Sequence, residues 1–245
     1  GKMFKKIKIK LNNLYLFKNN NDQYLLFDTG ENINDNKLIQ KITNEIDDFN
    51  KIRVIVISHS HSDHIGNLKF LMDKIGEKLI VIAHTNAREA LLSGKKNIPD
   101  GFFKITKKIS ENLKRKQKNS EKEEVNKIFK SDLKKIIFLD FKNYESLNLK
   151  KYGFENLKII STKGHSDDSV SLVLEDKYLF CGDLIQNIIW NRPLIPLFGD
   201  DFDELLISWK KIIDSKYTKI YPAMKNPVSL KDLERIYNKY EKNRI

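Results

Sequence analysis

Long apolar runs are missing from this sequence. No stretch approaches the roughly 18 consecutive apolar residues that a membrane-spanning helix needs, so a membrane-embedded protein is not expected. Cysteine is almost absent: Cys181 is the only one among 245 residues. An internal disulfide is thereby excluded, and such a chain suits a reducing compartment. The first residues, GKMFKKIKIKL, lack the apolar centre of a secretory leader and alternate as a strand does. A processed chain would have lost any leader, so the cytoplasm is the default expectation. No close internal repeat is visible, and no RNA-binding signature accompanies the lysines.

What the sequence has in abundance is charge. Charged residues make up 32% and apolar residues 40% of the chain, and the net charge is +12. A basic surplus points first to a polyanionic partner. Lysine, asparagine and isoleucine dominate everywhere, however, as biased base composition in a genome produces, and acidic residues are interleaved. A small-molecule substrate is therefore expected in place of nucleic acid or membrane. The oligomeric state is not readable.

Residues 3–9, 14–18 and 24–27 read as short strands, with NNND as a turn before the third. Leu38, Ile39, Ile42 and Ile46 mark a helix, and residues 53–58 form a β-branched run suited to a strand buried on both faces. A helix over 65–75 and a buried strand ending at His84 follow, so strands and helices alternate in a layered α/β pattern. From about 95 to 142 the character changes to a lysine-rich segment. Between Lys104 and Lys135 lie twelve basic and five acidic residues, which supply seven of the twelve net charges. Its sparse apolar positions, Ile105, Ile109, Leu113, Val125, Ile128, Phe129 and Leu133, predict one or two amphipathic helices laid on a surface. Residues 156–162, 169–175 and 177–183 again read as strands. A helix capped by Asp200 or Asp201 runs to Asp214, then a strand at KIYPA and a last helix over 228–240. The expectation is a single domain, 1–245, with a charged helical insert at 95–142.

Histidine is also scarce, five in all, yet three fall within the stretch ISHSHSDHIG. His59 and His61, two apart after a buried strand, point to the same side of an extended backbone. Asp63 and His64 follow at the mouth of a helix. Imidazole nitrogen with carboxylate oxygen is the donor set of zinc and of non-haem iron or manganese.

HSHSDH resembles the HxHxDH motif of the metallo-β-lactamase superfamily, in its glyoxalase II or lactonase-like branch. YLLFDTG is similar to the family's early strand and Asp-Thr-Gly turn, STKGHSDDSVSL to its third-histidine segment, and YLFCGDLI to the strand ending in Gly-Asp. The resemblance implies a four-layer αββα sandwich. It implies a first metal on His59, His61 and His165, a second facing Asp63 and His64, and Asp183 between them. The family's last histidine is missing: in YPAMKNP, Met224 stands at its position and Lys225 follows. A thioether suits copper(I) and not zinc or manganese. One tight site, with the second weak or vacant, is therefore expected, with Zn2+ foremost and iron or manganese also compatible.

The implied activity is metal-dependent hydrolysis of a small ester, thioester, lactone or phosphoester. A bound cation lowers the pKa of its water toward about 7, and Asp63 would be the catalytic carboxylate that orients it. A mononuclear iron oxygenase resembling persulfide dioxygenases, and a degenerate ligand-binding member, are the competing readings. Candidate substrate contacts are His84, Trp190, Arg192 and Lys225. Asp28 is expected to support the histidines from outside, and Cys181 to be a core thiol.

Overall fold

The computed structural model describes residues 4–94, 98–118, 127–128, 130–141, 146–187 and 194–242. In chain order the strands and helices are β1 (Phe4–Ile9), β2 (Asn12–Lys18), β3 (Tyr24–Phe27), α1 (Asp35–Thr43), β4 (Ile52–Val56), α2 (Ser62–Ile65), α3 (Leu68–Ile75), β5 (Ile80–His84) and α4 (Arg88–Ser93). There follow β6 (Asp100–Gly101), α5 (Lys104–Lys118), β7 (Ile136–Leu139), β8 (Ser146–Leu149), β9 (Phe154–Ser161), β10 (Val170–Leu174), β11 (Tyr178–Phe180), β12 (Phe198–Gly199), α6 (Phe202–Asp214), β13 (Lys219–Tyr221) and α7 (Leu230–Lys242). Among the described residues no helix is long and apolar enough to cross a membrane.

Two large sheets face each other. One has the order β1-β2-β3-β4-β5-β7 and the other β13-β11-β10-β9-β8. Alternation along each strand explains the layers. Phe17, Leu25, Phe27, Val54, Val56 and Ile82 point inward to meet Ile159, Val170, Leu172 and Phe180 of the other sheet. Their neighbours Leu16, Leu26, Ile55 and Val81 point outward and pack with Leu38 and Ile42 of α1 and Leu68, Leu71 and Met72 of α3. On the far side, Val173, Leu179 and Ile220 meet Leu205, Leu206, Trp209 and Ile212 of α6 and Leu233 and Ile236 of α7. The result is the αββα sandwich expected from the sequence. Asp201 caps α6, accepting from the N–H groups of Asp203 and Glu204, which satisfies donors that the first turn leaves orphaned.

β3, β4, β5 and β7 run parallel, so their carboxyl ends lie on one edge of the sandwich. In the other sheet β9 and β11 are each antiparallel to β10, and β13 is parallel to β11, so these three also end together. Residues following strand ends from both sheets can therefore converge. The sheets are tied at that edge by Val170 N–H to Ser58 O at 2.8 Å and by Asn13 N–H to Ala223 O at 2.6 Å.

Two expectations change. The helix predicted over 65–75 is broken into α2 and α3 at Gly66 and Asn67. The Asp-Thr-Gly turn presses against this point: Gly66 N–H donates to Gly30 O at 2.9 Å, and Asn67 Nδ2 donates to Thr29 O at 2.7 Å and Glu31 O at 2.9 Å. A Cβ on residue 66 would lie 2.3 Å from Asn32 N. The segment 95–142, expected as a helical insert, is not wholly helical. Ile136–Leu139 is the edge strand β7, paired with β5, and Asp100–Gly101 pairs with β12. Within α5 the apolar stripe faces outward, with Ile105 70%, Ile109 45% and Leu113 40% exposed. Thr106 and Ser110 are buried instead, because close backbone approach at Gly101 admits only a small face and Ser110 Oγ donates to Pro99 O at 2.5 Å. Val125 and Phe129 lie outside the described residues; Ile128 and Leu133 are buried.

Candidate metal centre

β4 ends at Val56, and the chain leaves the sheet still extended, carrying His59 and His61 to the shared edge. His61 has φ −67 and ψ 147 as the residue before α2, so Asp63 and His64 open that helix. His165 follows β9 and Asp183 follows β11. The chain folds tightly before Asp183: Gly182 has φ +54, a conformation that favours glycine, and a Cβ there would lie 2.8 Å from Ser58 Oγ.

These ends bring donors together in two groups. One nitrogen from each of His59, His61 and His165 forms the first; His59, His64 and Asp183 form the second. Within each group the donor atoms all lie within 4.8 Å of one another. The His59, His61 and His165 rings stand nearly perpendicular in pairs, at centroid separations of 4.6, 4.8 and 4.9 Å. His59, His64, His165 and Asp183 are buried. Asp63 is at the rim, its side chain 35% exposed and its Oδ2 3.5 Å from His64 Nε2.

Four of the donors are held from behind. Asp28, with backbone φ +65, accepts from Ser58 N–H at 2.7 Å, Ser58 Oγ at 2.7 Å and His64 Nδ1 at 2.8 Å. That bond commits the Nδ1 proton of His64 and turns Nε2 toward Asp183, 3.5 Å away. His165 Nδ1 donates to Phe198 O at 2.9 Å, leaving Nε2 facing the cluster. Ser58 Oγ lies 2.9 Å from His59 Nδ1, and Gln186 Nε2 donates to Asp183 Oδ2 at 2.8 Å. Such outer partners fix tautomers and ring directions of metal-binding histidines.

Asp168 joins the two histidine loops. Its carboxylate accepts from Ser60 N–H at 2.9 Å, Ser60 Oγ at 2.5 Å and Ser166 Oγ at 2.6 Å. Sequence reasoning passed over Asp168, Gln186 and Asn12. The first two lie three residues beyond a site residue, but nothing local announces their partners.

The electrostatics favour a cation. Burial lowers the pKa of His61 to about 3, with the nearby His165 adding to it. Burial opposes charge on His64 too, yet Asp63, Asp28 and Asp183 together hold its pKa well above the usual imidazole value. Burial likewise opposes the charged Asp183 carboxylate, but His64 through charge and hydrogen bond, with His165 and Gln186, holds it well below the usual range. His61 Nδ1 lies 3.1 Å from His165 Nε2 within the first group, and Asp183 Oδ1 is buried with no hydrogen-bond partner. Buried polar atoms normally have one, so the donor set fits a divalent ion that accepts imidazole and carboxylate.

The remaining candidates are dispersed. His84 is buried at the end of β5, outside both groups; its Nδ1 accepts from Asn86 N–H at 3.0 Å and its ring stacks on Phe141 at 5.7 Å. Burial, then Lys163, lowers its pKa. Lys225 is exposed in the turn after β13, and its carbonyl accepts from Asn13 Nδ2 at 2.9 Å. Met224 is half-buried and bridged to Asn12. Trp190 and Arg192 lie outside the described residues. Cys181 is buried among apolar neighbours, where burial, then Asp183, raises its pKa.

A two-sheet sandwich with histidines and carboxylates gathered at one edge defines the class of metal-site αββα proteins. The family model for the metallo-β-lactamase superfamily matches residues 10–224, and the chain belongs to that superfamily, whose members are mostly metal-dependent hydrolases. Solved structures share the fold. The archaeal superfamily protein ST1585 from Sulfolobus tokodaii matches at TM-score 0.62 and 21% identity, over 96% of this chain and 85% of its own. TTHA1623 in a di-iron-bound form gives 0.61 and 16%, over 96% and 98%. FIM-1 from Pseudomonas aeruginosa in its mono-zinc form gives 0.59 and 14%, over 97% and 96%. No curated protein sequence matches the chain significantly.

Proposed function

We propose that the protein is a metal-dependent hydrolase of a small ester, thioester, lactone or phosphoester, with Asp63 as its proton-transferring carboxylate. The observation that carries this reading is the pair of donor groups sharing His59. His59, His61, His165 and Asp183 would hold a first ion, zinc foremost; His64 and Asp63 face a second position, weaker for want of the histidine that Met224 replaces. When bound, a divalent cation supplies Lewis acidity and a more acidic water. Asp63 is the one carboxylate of the cluster open to solvent at the rim, and Asn12 Nδ2 steadies its Oδ2 at 3.3 Å. From there it can take a proton from an attacking water and pass it to the leaving group. The buried single thiol fits a reducing compartment, which supports the cytoplasm as the place of action.

Asp63→Ala should lower kcat on any substrate found in an ester, thioester, lactone and phosphoester panel by about 10²–10⁴, with the tightly held ion retained by plasma mass spectrometry. A wild-type rate in that variant would remove Asp63 from the chemistry. The replaced histidine, which leaves the second position short of a donor, also supports a mononuclear iron oxygenase. Iron content with substrate-dependent oxygen uptake would move that reading ahead; oxygen-independent turnover leaves hydrolysis in place.

A further inference from the structure

We infer that Asn12 supplies, through its carboxamide oxygen Oδ1, the donor that Met224 does not, and so completes the second cation position beside His64, Asp63 and Asp183. This rests on the metal centre proposed above.

Three observations converge. Asn12 and Met224 are partners in an antiparallel bridge, and directly opposed residues of such a pair project from the same face. Asn12 therefore shares the face of the residue that stands where the family histidine is absent. Next, Asn12 reaches the site itself: its Nδ2 donates to the Asp63 carbonyl at 2.7 Å and lies 3.3 Å from Asp63 Oδ2. Finally, its Oδ1 is buried and has no hydrogen-bond partner, while the residue as a whole is 4% exposed. A carboxamide oxygen left this way carries a desolvation penalty that a cation would relieve.

The chemistry agrees with the placement. Carboxamide and carboxylate oxygens suit hard divalent ions such as manganese, whereas a thioether does not. A neutral oxygen is a weaker zinc donor than imidazole, so the second ion should be held less tightly than the first. The surrounding Asp63, Asp183 and Asp28 carboxylates supply the negative charge that a second cation needs.

The test is titration of chelator-stripped protein with Mn2+ and with Zn2+, read by calorimetry and by plasma mass spectrometry after gel filtration. Circular dichroism of each stripped variant controls for folding. The wild type should bind two equivalents, the second at least tenfold more weakly. Asn12→Ala should keep the first and weaken the second at least tenfold, and Met224→Leu should change neither. Asn12→Asp decides between a ligand and a mere support for Asp63: added charge on a ligand tightens the second ion, whereas loss of the Nδ2 donor from a support weakens it. The inference is overturned if the wild type saturates at one equivalent, if Asn12→Ala keeps the second at full affinity, if Met224→Leu loses it, or if Asn12→Asp weakens it. Binding of no ion at all would instead overturn the proposed metal centre.

Discussion

Asp28 and Asp168 do for the loops what the histidines cannot do for themselves. Asp28 adopts a left-handed backbone to place one carboxylate against Ser58 and His64, and Asp168, itself bonded to Ser166, reaches Ser60 across 108 residues of chain. Asp168→Ala leaves the Ser60 N–H and hydroxyl and the Ser166 hydroxyl without this acceptor. Loss of partners at a buried site costs about 1–3 kcal/mol, and loss of an outer support lowers metal affinity about 10–100-fold. Denaturant midpoints and metal titration should show both effects; unchanged metal affinity would make Asp168 only a fold residue. The donors themselves were legible because HSHSDH packs four of them into six positions, and GHSDDS and FCGDL mark His165 and Asp183. Asn12, Asp168 and Gln186 were not, since their roles exist only once distant loops meet.

At the scale of elements, periodicity revealed α1, α6 and the buried strands, because each has one apolar face and one neighbour to bury it. It missed the break between α2 and α3, which comes from backbone contact with the turn at Gly30 and not from side-chain pattern. Gly66→Ala should therefore destabilise the fold by about 1–3 kcal/mol, since its Cβ meets backbone that cannot move aside; a change within about 0.5 kcal/mol would show that the contact relaxes. Periodicity also found α5 but not its rotation, because the docking face is made of Thr106 and Ser110. Ile105→Lys should shift the unfolding free energy by no more than about 0.5 kcal/mol, as expected of an exposed position. A loss of several kcal/mol would mean that the stripe is covered.

At the scale of the whole molecule, the sandwich is a device for bringing strand ends from two sheets to one edge. The parallel run of β3, β4 and β5 delivers Asp28, His59 and His84 there, and the parallel ends of β9, β11 and β13 deliver His165, Asp183 and Met224. Buried imidazole and carboxylate donors from both sheets meet at this edge in two groups that could each hold a cation. Whether the edge holds a cation is read by plasma mass spectrometry on protein purified without metal-affinity resin. At least one equivalent of zinc, manganese or iron per chain should survive dialysis and be lost in a folded His165→Ala variant. A wild-type chain that stays metal-free after incubation with each of these ions would show that the edge binds none.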